Sequence, residues 1–113
     1  MYVLKTPEGK KVVITPKKDE KLYDAPVNPP DTGLNYTSGT DLYRHVARSG
    51  KAYYYTYDWS MWQGTKDRYA LLTEEEAKQF LIRAAGWTGY AALSPEEEKR
   101  AQEVFPNIFD EDA

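Results

Sequence analysis

Few side chains in this sequence could do acid–base, nucleophilic or metal chemistry. His45 is the one histidine among 113 residues, and there is no cysteine. Thiolate metal sites, disulfides and cysteine nucleophiles are therefore excluded, and any triad or imidazole metal site would have to be built around a single ring. Beside Arg44, in a segment that reads as a strand, that ring is expected to be a half-exposed sheet residue. Asp58, between Tyr57 and Trp59, is the acid in the most apolar company. Carboxylate catalysis needs two acids at a defined separation, at least one of them in an apolar pocket. Strand alternation instead turns Asp58 outward with Thr56 and Ser60. An enzyme using Asp58 with His45 or Arg44 would need a buried cleft around Asp58. The contiguous Asp110, Glu111 and Asp112 do not make an EF-hand loop. Signatures of the GxGxxG, GxxxxGK[ST], GxSxG and HExxH kinds are all missing. The expectation is a non-enzymatic protein with no catalytic residues, no metal site and no cofactor.

Binding chemistry has more to draw on. From Tyr53 to Trp62 the stretch KAYYYTYDWSMWQG places six aromatic side chains in ten positions. In a strand, Tyr53, Tyr55, Tyr57, Trp59 and Met61 share one face, while Ala52, Tyr54, Thr56, Asp58, Ser60 and Trp62 share the other. The first set is large and mostly apolar, so it should face the core. Tyr54 and Trp62 would then lie on an outer face together with Tyr43 and His45. Arg48 and Lys51 would stand at the tip of this hairpin, with Lys66 and Arg68 at the next turn. Exposed rings beside Arg and Lys can stack the bases of a single strand and neutralise its phosphates. The same set can form an aromatic and arginine hot spot for another protein. Ordinary cross-strand ring pairs are the bland account of the same residues.

These residues need elements to hold them. YVLKT and VVITP flank PEGKK and read as a β-hairpin over residues 1–16. Residues 17–40, with Pro26, Pro29, Pro30, Gly33 and Gly39, read as a long connection pinned to the body by Leu22, Tyr23, Val27, Leu34 and Tyr36. Residues 41–72 read as an aromatic β-meander. Ser49 and Gly50 make a two-residue turn that pairs Val46 with Tyr53, Arg44 with Tyr55 and Leu42 with Tyr57. A short helix from Asp41 to Ser49, ended by Gly50, is the rival for its first half. RYALLT returns as a further strand.

Thr73 with Glu76 is a capping box that opens a helix over 73–86, whose stripe of Ala77, Phe80, Leu81 and Ala84 can cover the aromatic sheet face. Ser94, Pro95 and Glu97 open another over 94–105. Between them Trp87, Tyr90 and Leu93 form a packed connector, and in the acidic tail 106–113 Ile108 and Phe109 can dock on the body or on a partner.

Charge is polarised along the chain. Residues 1–22 carry six lysines against three acids, whereas residues 73–113 carry ten acids against four bases, for a net charge of −3 overall. This is not the broad basic footprint of a duplex-DNA binder. The N-terminus lacks the apolar run of a signal peptide, and no stretch approaches the ~20 apolar residues that span a bilayer.

Together these features predict a small single α+β domain, an antiparallel hairpin and meander of about four or five strands with two C-terminal helices on the sheet. They point to a soluble cytoplasmic interaction module that engages a protein partner through the aromatic sheet face and the Pro-rich loop. The alternative is single-stranded nucleic-acid binding by stacking on Tyr54 and Trp62. An edge strand such as VVITP offers a place for a second copy to pair.

Overall fold

Two five-residue segments, TPEGK at Thr6–Lys10 and ARSGK at Ala47–Lys51, fold alike. In each the glycine amide donates to the carbonyl of the first residue at 2.9 Å, and the first amide donates to the carbonyl of the fifth, at 2.8 and 2.9 Å. Gly9 and Gly50 have φ of 87° and 90°, a left-handed conformation that costs other residues about 1–2 kcal/mol. This is the three-residue hairpin loop, a tight turn closed by a glycine bulge. Strand pairing on either side follows from it.

The computed structural model describes residues 2–26, 38–60, 68–87 and 91–109. Its elements are β1 (Tyr2–Lys5), β2 (Lys11–Ile14), β3 (Glu20–Tyr23), β4 (Ser38–Val46), β5 (Ala52–Ser60), β6 (Arg68–Leu72), α1 (Glu74–Ala85) and α2 (Pro95–Val104). β1 and β2 form a two-stranded antiparallel sheet, and the other four strands form an antiparallel sheet in the order β3-β4-β5-β6. The chain is α+β, with the late helices on the larger sheet. Residues 41–46 are strand, not helix.

Both helices begin as their sequences require. The Thr73 hydroxyl accepts from the Glu76 amide at 3.1 Å while the Glu76 carboxylate accepts from the Thr73 amide at 2.9 Å. Ser94 and Glu97 repeat the exchange at 3.1 and 2.8 Å. These bonds satisfy amides that the first turn leaves without helical partners.

The larger sheet is covered on both faces. On one, Leu22, Leu42 and Tyr54 pack with Ala77, Phe80, Leu81 and Ala84 of α1 and with Ala101, Phe105 and Ile108. Tyr54 meets Phe105 with ring centroids 5.1 Å apart. On the other, Val12 and Ile14 of the hairpin cover Tyr43 and Tyr55, flanked by Leu4, Tyr53, Tyr57, Tyr69 and Leu71. Tyr43 and Tyr55 lie nearly parallel, 5.0 Å apart.

Three expectations are corrected here. Val46, Arg44 and Leu42 pair with Ala52, Tyr54 and Thr56, not with Tyr53, Tyr55 and Tyr57, because the loop holds three residues where two were counted. That one-residue shift moves Tyr43 and His45 to the same face as Tyr53 and Tyr55, opposite Tyr54. Second, α1 covers the Tyr54 face, and the hairpin covers the tyrosine-rich one. Trp59 leaves the pattern by packing with the helix-side cluster. Third, the segment 17–40 includes a strand: Glu20, Lys21 and Tyr23 pair with Arg44, Tyr43 and Leu42, with a bulge between Lys21 and Tyr23. At the far end of the chain Ile108 is buried and Phe109 packs beside it on the body.

Candidate functional site: a groove at the edge of two layers

Besides the apolar packing of Val12 and Ile14 on Tyr43 and Tyr55, the hairpin layer is tied to the larger sheet by a polar side chain, Asp19. Asp19 follows the turn after β2, where its own amide and that of Lys18 both donate to the Thr15 carbonyl at 2.8 Å. Asp19 Oδ2 accepts from the Thr15 amide at 3.0 Å and from the Tyr55 hydroxyl at 2.7 Å. His45 Nδ1 sits 2.8 Å from Asp19 Oδ1, with 16% and 8% of the two side chains exposed. The carboxylate thus gathers a backbone group from the hairpin turn and side chains from β4 and β5. Burial first, and the adjacent Asp19 carboxylate second, push the Tyr55 phenol well above its ordinary pKa.

This tie leaves a groove of about 500 Å³ between the layers. One wall is β2 and its turn, from Lys11 through Val13 to Thr15. The other is the end of β4 and its loop, His45 to Arg48, with Tyr53 between the walls. Among the described residues its ionisable lining, apart from the Tyr53 phenol, is Lys11, His45 and Arg48, with no carboxylate. Lys51 adds a further cation at the loop, 5.1 Å above the Tyr53 ring. Val13 and Val46 line the same groove and remain about half exposed, at 45% and 49%.

A second cleft of about 490 Å³ lies where the two hairpin loops meet the start of α1, between Pro7, Glu8, Lys51, Leu71 and Glu74. Its aromatic lining is Tyr53 and Tyr54, and on its far wall Thr73 and Glu76 are engaged in the capping box that starts the helix.

Of the residues expected to form a binding face, the fold brings together His45, Arg48 and Lys51. Tyr43 and Tyr54 are 7% and 5% exposed and lie on opposite faces of the sheet, so neither presents a free ring. Arg68 opens β6 opposite Asp58 near the far end of β5, with Nη2 3.5 Å from Asp58 Oδ2. Trp62 and Lys66 lie outside the described residues, as do Val27, Leu34, Tyr36, Met61 and Tyr90. Asp58 also accepts from the Thr40 hydroxyl at 2.6 Å, and His45 is held by Asp19, so the pairing of Asp58 with His45 is not formed.

Lys11, Val13 and Asp19 are the participants that sequence reasoning missed. The clue to Asp19 was its place in a tight connection after a strand; nothing local paired it with a histidine 26 residues on. Among the described residues no cluster of three metal-ligating side chains occurs, and no helix is long and apolar enough to cross a membrane. Comparison with protein families, with characterised proteins and with solved structures finds no match for this chain.

Proposed function

We propose that this chain is a small non-enzymatic interaction module that binds a protein partner, and that the edge groove is where it does so. The observation that carries the reading is the make-up of the groove: exposed valines beside Lys11 and Arg48, with no lining carboxylate among the described residues to neutralise them. Apolar surface flanked by unpaired charge of one sign suits a complementary protein segment. The aromatic strand serves this reading as scaffold, since its rings fill the space between layers. A cytoplasmic setting belongs to the same proposal, because a chain with no cysteine has no disulfide to lose in a reducing compartment.

The second reading, single-stranded nucleic-acid binding, keeps Arg48 and Lys51 but loses Tyr54 as a stacking ring. One experiment addresses both. A displayed library of random peptides is selected against the wild-type protein, and binders are retested on Val46→Asp and Arg48→Glu proteins, with mixed-sequence oligonucleotides titrated in parallel. Selection of peptides whose binding is lost in both variants supports the module reading. Absence of any variant-sensitive peptide sinks it, and oligonucleotide binding that falls steeply with salt would replace it by the second reading.

A further inference from the structure

We propose that the free edge of β2 receives an extended segment of a partner protein as a third strand of the hairpin sheet, the segment bearing an acidic and an aliphatic residue two positions apart on one face. The inference rests on the interaction-module reading and names the chemistry of its partner.

The backbone supplies the first argument. The bond from the Thr6 amide to the Lys10 carbonyl makes that pair a hydrogen-bonded one, and bonded pairs alternate along antiparallel strands. With Leu4 opposite Val12 and Tyr2 opposite Ile14, those pairs carry the bonds within the hairpin. Lys11 and Val13 then turn their N–H and C=O groups away from β1. The groove lies on that side, since its lining includes Lys11, Val12, Val13 and Thr15 but no residue of β1. Among the described residues nothing pairs with this row of backbone groups, and an unpaired row beside an open groove is the arrangement that extended peptides complete by strand addition.

Side chains supply the second. On the outward face of the hairpin Val3 stands opposite Val13 and Lys5 opposite Lys11. Val3 is 54% exposed, and directly opposed like charges destabilise a strand pair. Among the described residues no ion pair involves Lys5, Lys11 or Arg48. A strand added beside β2 would put one residue next to Lys11 and another next to Val13, two apart and on the same face. A carboxylate at the first relieves the lysine pair, and an aliphatic residue at the second extends the valine row. A two-stranded sheet is marginal on its own, so a third strand also strengthens the layer it joins.

The same charges argue against a second copy as occupant. Pairing β2 with β2 of another molecule would bring two lysine-rich hairpins edge to edge, and edge lysines are a device against such pairing.

The test uses the full chain and a labelled peptide with glutamate and valine alternating on one face and threonine on the other. Three comparisons accompany it: the peptide with lysine for glutamate, the peptide N-methylated on the edge that would meet β2, and the Lys11→Glu protein. The expected result is binding by fluorescence anisotropy that weakens at least about fivefold with the lysine peptide and is abolished by N-methylation. Amide exchange at Lys11 and Val13 should slow in the complex, and Lys11→Glu should shift preference toward the lysine peptide. Equal binding of the N-methylated peptide overturns strand addition, and an unchanged preference in Lys11→Glu overturns the acidic partner. If library-selected peptides bind the groove and the alternating peptide does not, this inference falls while the module reading stands. If neither binds, both fall.

Discussion

Replacing Asp19 by alanine should be among the most damaging single changes in the molecule, although the residue belongs to neither hydrophobic cluster. The carboxylate is the shared acceptor for the Thr15 amide, the Tyr55 hydroxyl and His45 Nδ1. A hydrogen bond to a charged group contributes about 1.5–3 kcal/mol, and a buried donor left alone costs about 1–3 kcal/mol. Tyr55 is completely buried, so its hydroxyl has no route to water without displacing the hairpin. Three such losses do not add fully, because the freed groups can relax toward one another, and about 3–4 kcal/mol is expected. With an unfolding entropy of about 2.1 cal/mol/K per residue, that lowers Tm by roughly 13–17 °C for a chain of this size.

Thermal and urea unfolding followed by circular dichroism at pH 7 measure this directly. The stricter assay is a double-mutant cycle with Tyr55→Phe, in which Asp19 and Tyr55 should couple by about 1–2 kcal/mol. An Asp19→Ala protein within about 0.5 kcal/mol of wild type, or strictly additive Asp19 and Tyr55 effects, would refute the claim that this carboxylate fastens the two layers.

Further expectations follow from the same structure. Because the folded state holds the Tyr55 proton more tightly than the unfolded chain, where tyrosine titrates near 10, its stabilisation is complete below about pH 10 and is lost as pH rises beyond it. Urea midpoints from pH 9 to 11 should therefore fall more steeply for wild type than for Tyr55→Phe; parallel curves would contradict the assignment. Gly50→Ala should destabilise by about 1–2 kcal/mol through its positive φ, and nuclear magnetic resonance should show the largest shifts at the β4–β5 loop. Leu81→Ala, at a fully buried position of α1, should cost about 2–5 kcal/mol by equilibrium unfolding. Thr73→Ala removes one half of a capping box and should cost about 1 kcal/mol in the same measurement, whereas Thr73→Ser, which keeps the capping hydroxyl, should stay close to wild type.

Local rules that act within a few residues were legible in the sequence. Both capping boxes, the α1 stripe of Ala77, Phe80, Leu81 and Ala84, and the alternation along Tyr53–Tyr57 came through because each depends on neighbours in the chain. What failed was the count across a loop. Arg48-Ser49-Gly50 and Ser49-Gly50 both end in a glycine suited to positive φ, and one residue between them decides which face every β4 side chain occupies. The alternation of β5 was also read as one buried face against one open face, whereas Tyr54 and Tyr55 are both buried. Tyr54 on the nominally polar side was the sign that a second layer exists. The groove was less legible still: it joins β2 and its turn to the end of β4 and its loop, and no local pattern brings those segments together.

The placement of the hairpin also shapes how the chain reaches this structure. β1 and β2 come well before the strands they cover, since Val12 and Ile14 pack on Tyr43 and Tyr55. As the chain is synthesised the hairpin can form locally within microseconds, yet the residues its inner face packs on, Tyr43 and Tyr55, come into place only when β4 and β5 have emerged and paired. Docking of the hairpin is therefore a non-local step onto a sheet built from later sequence, and until it is complete Leu4, Val12 and Ile14 lack that cover. Lys5, Lys10 and Lys11 lie next to these apolar residues in the chain. Their mutual repulsion between neighbouring nascent chains is suited to keeping that early hairpin from aggregating while it waits.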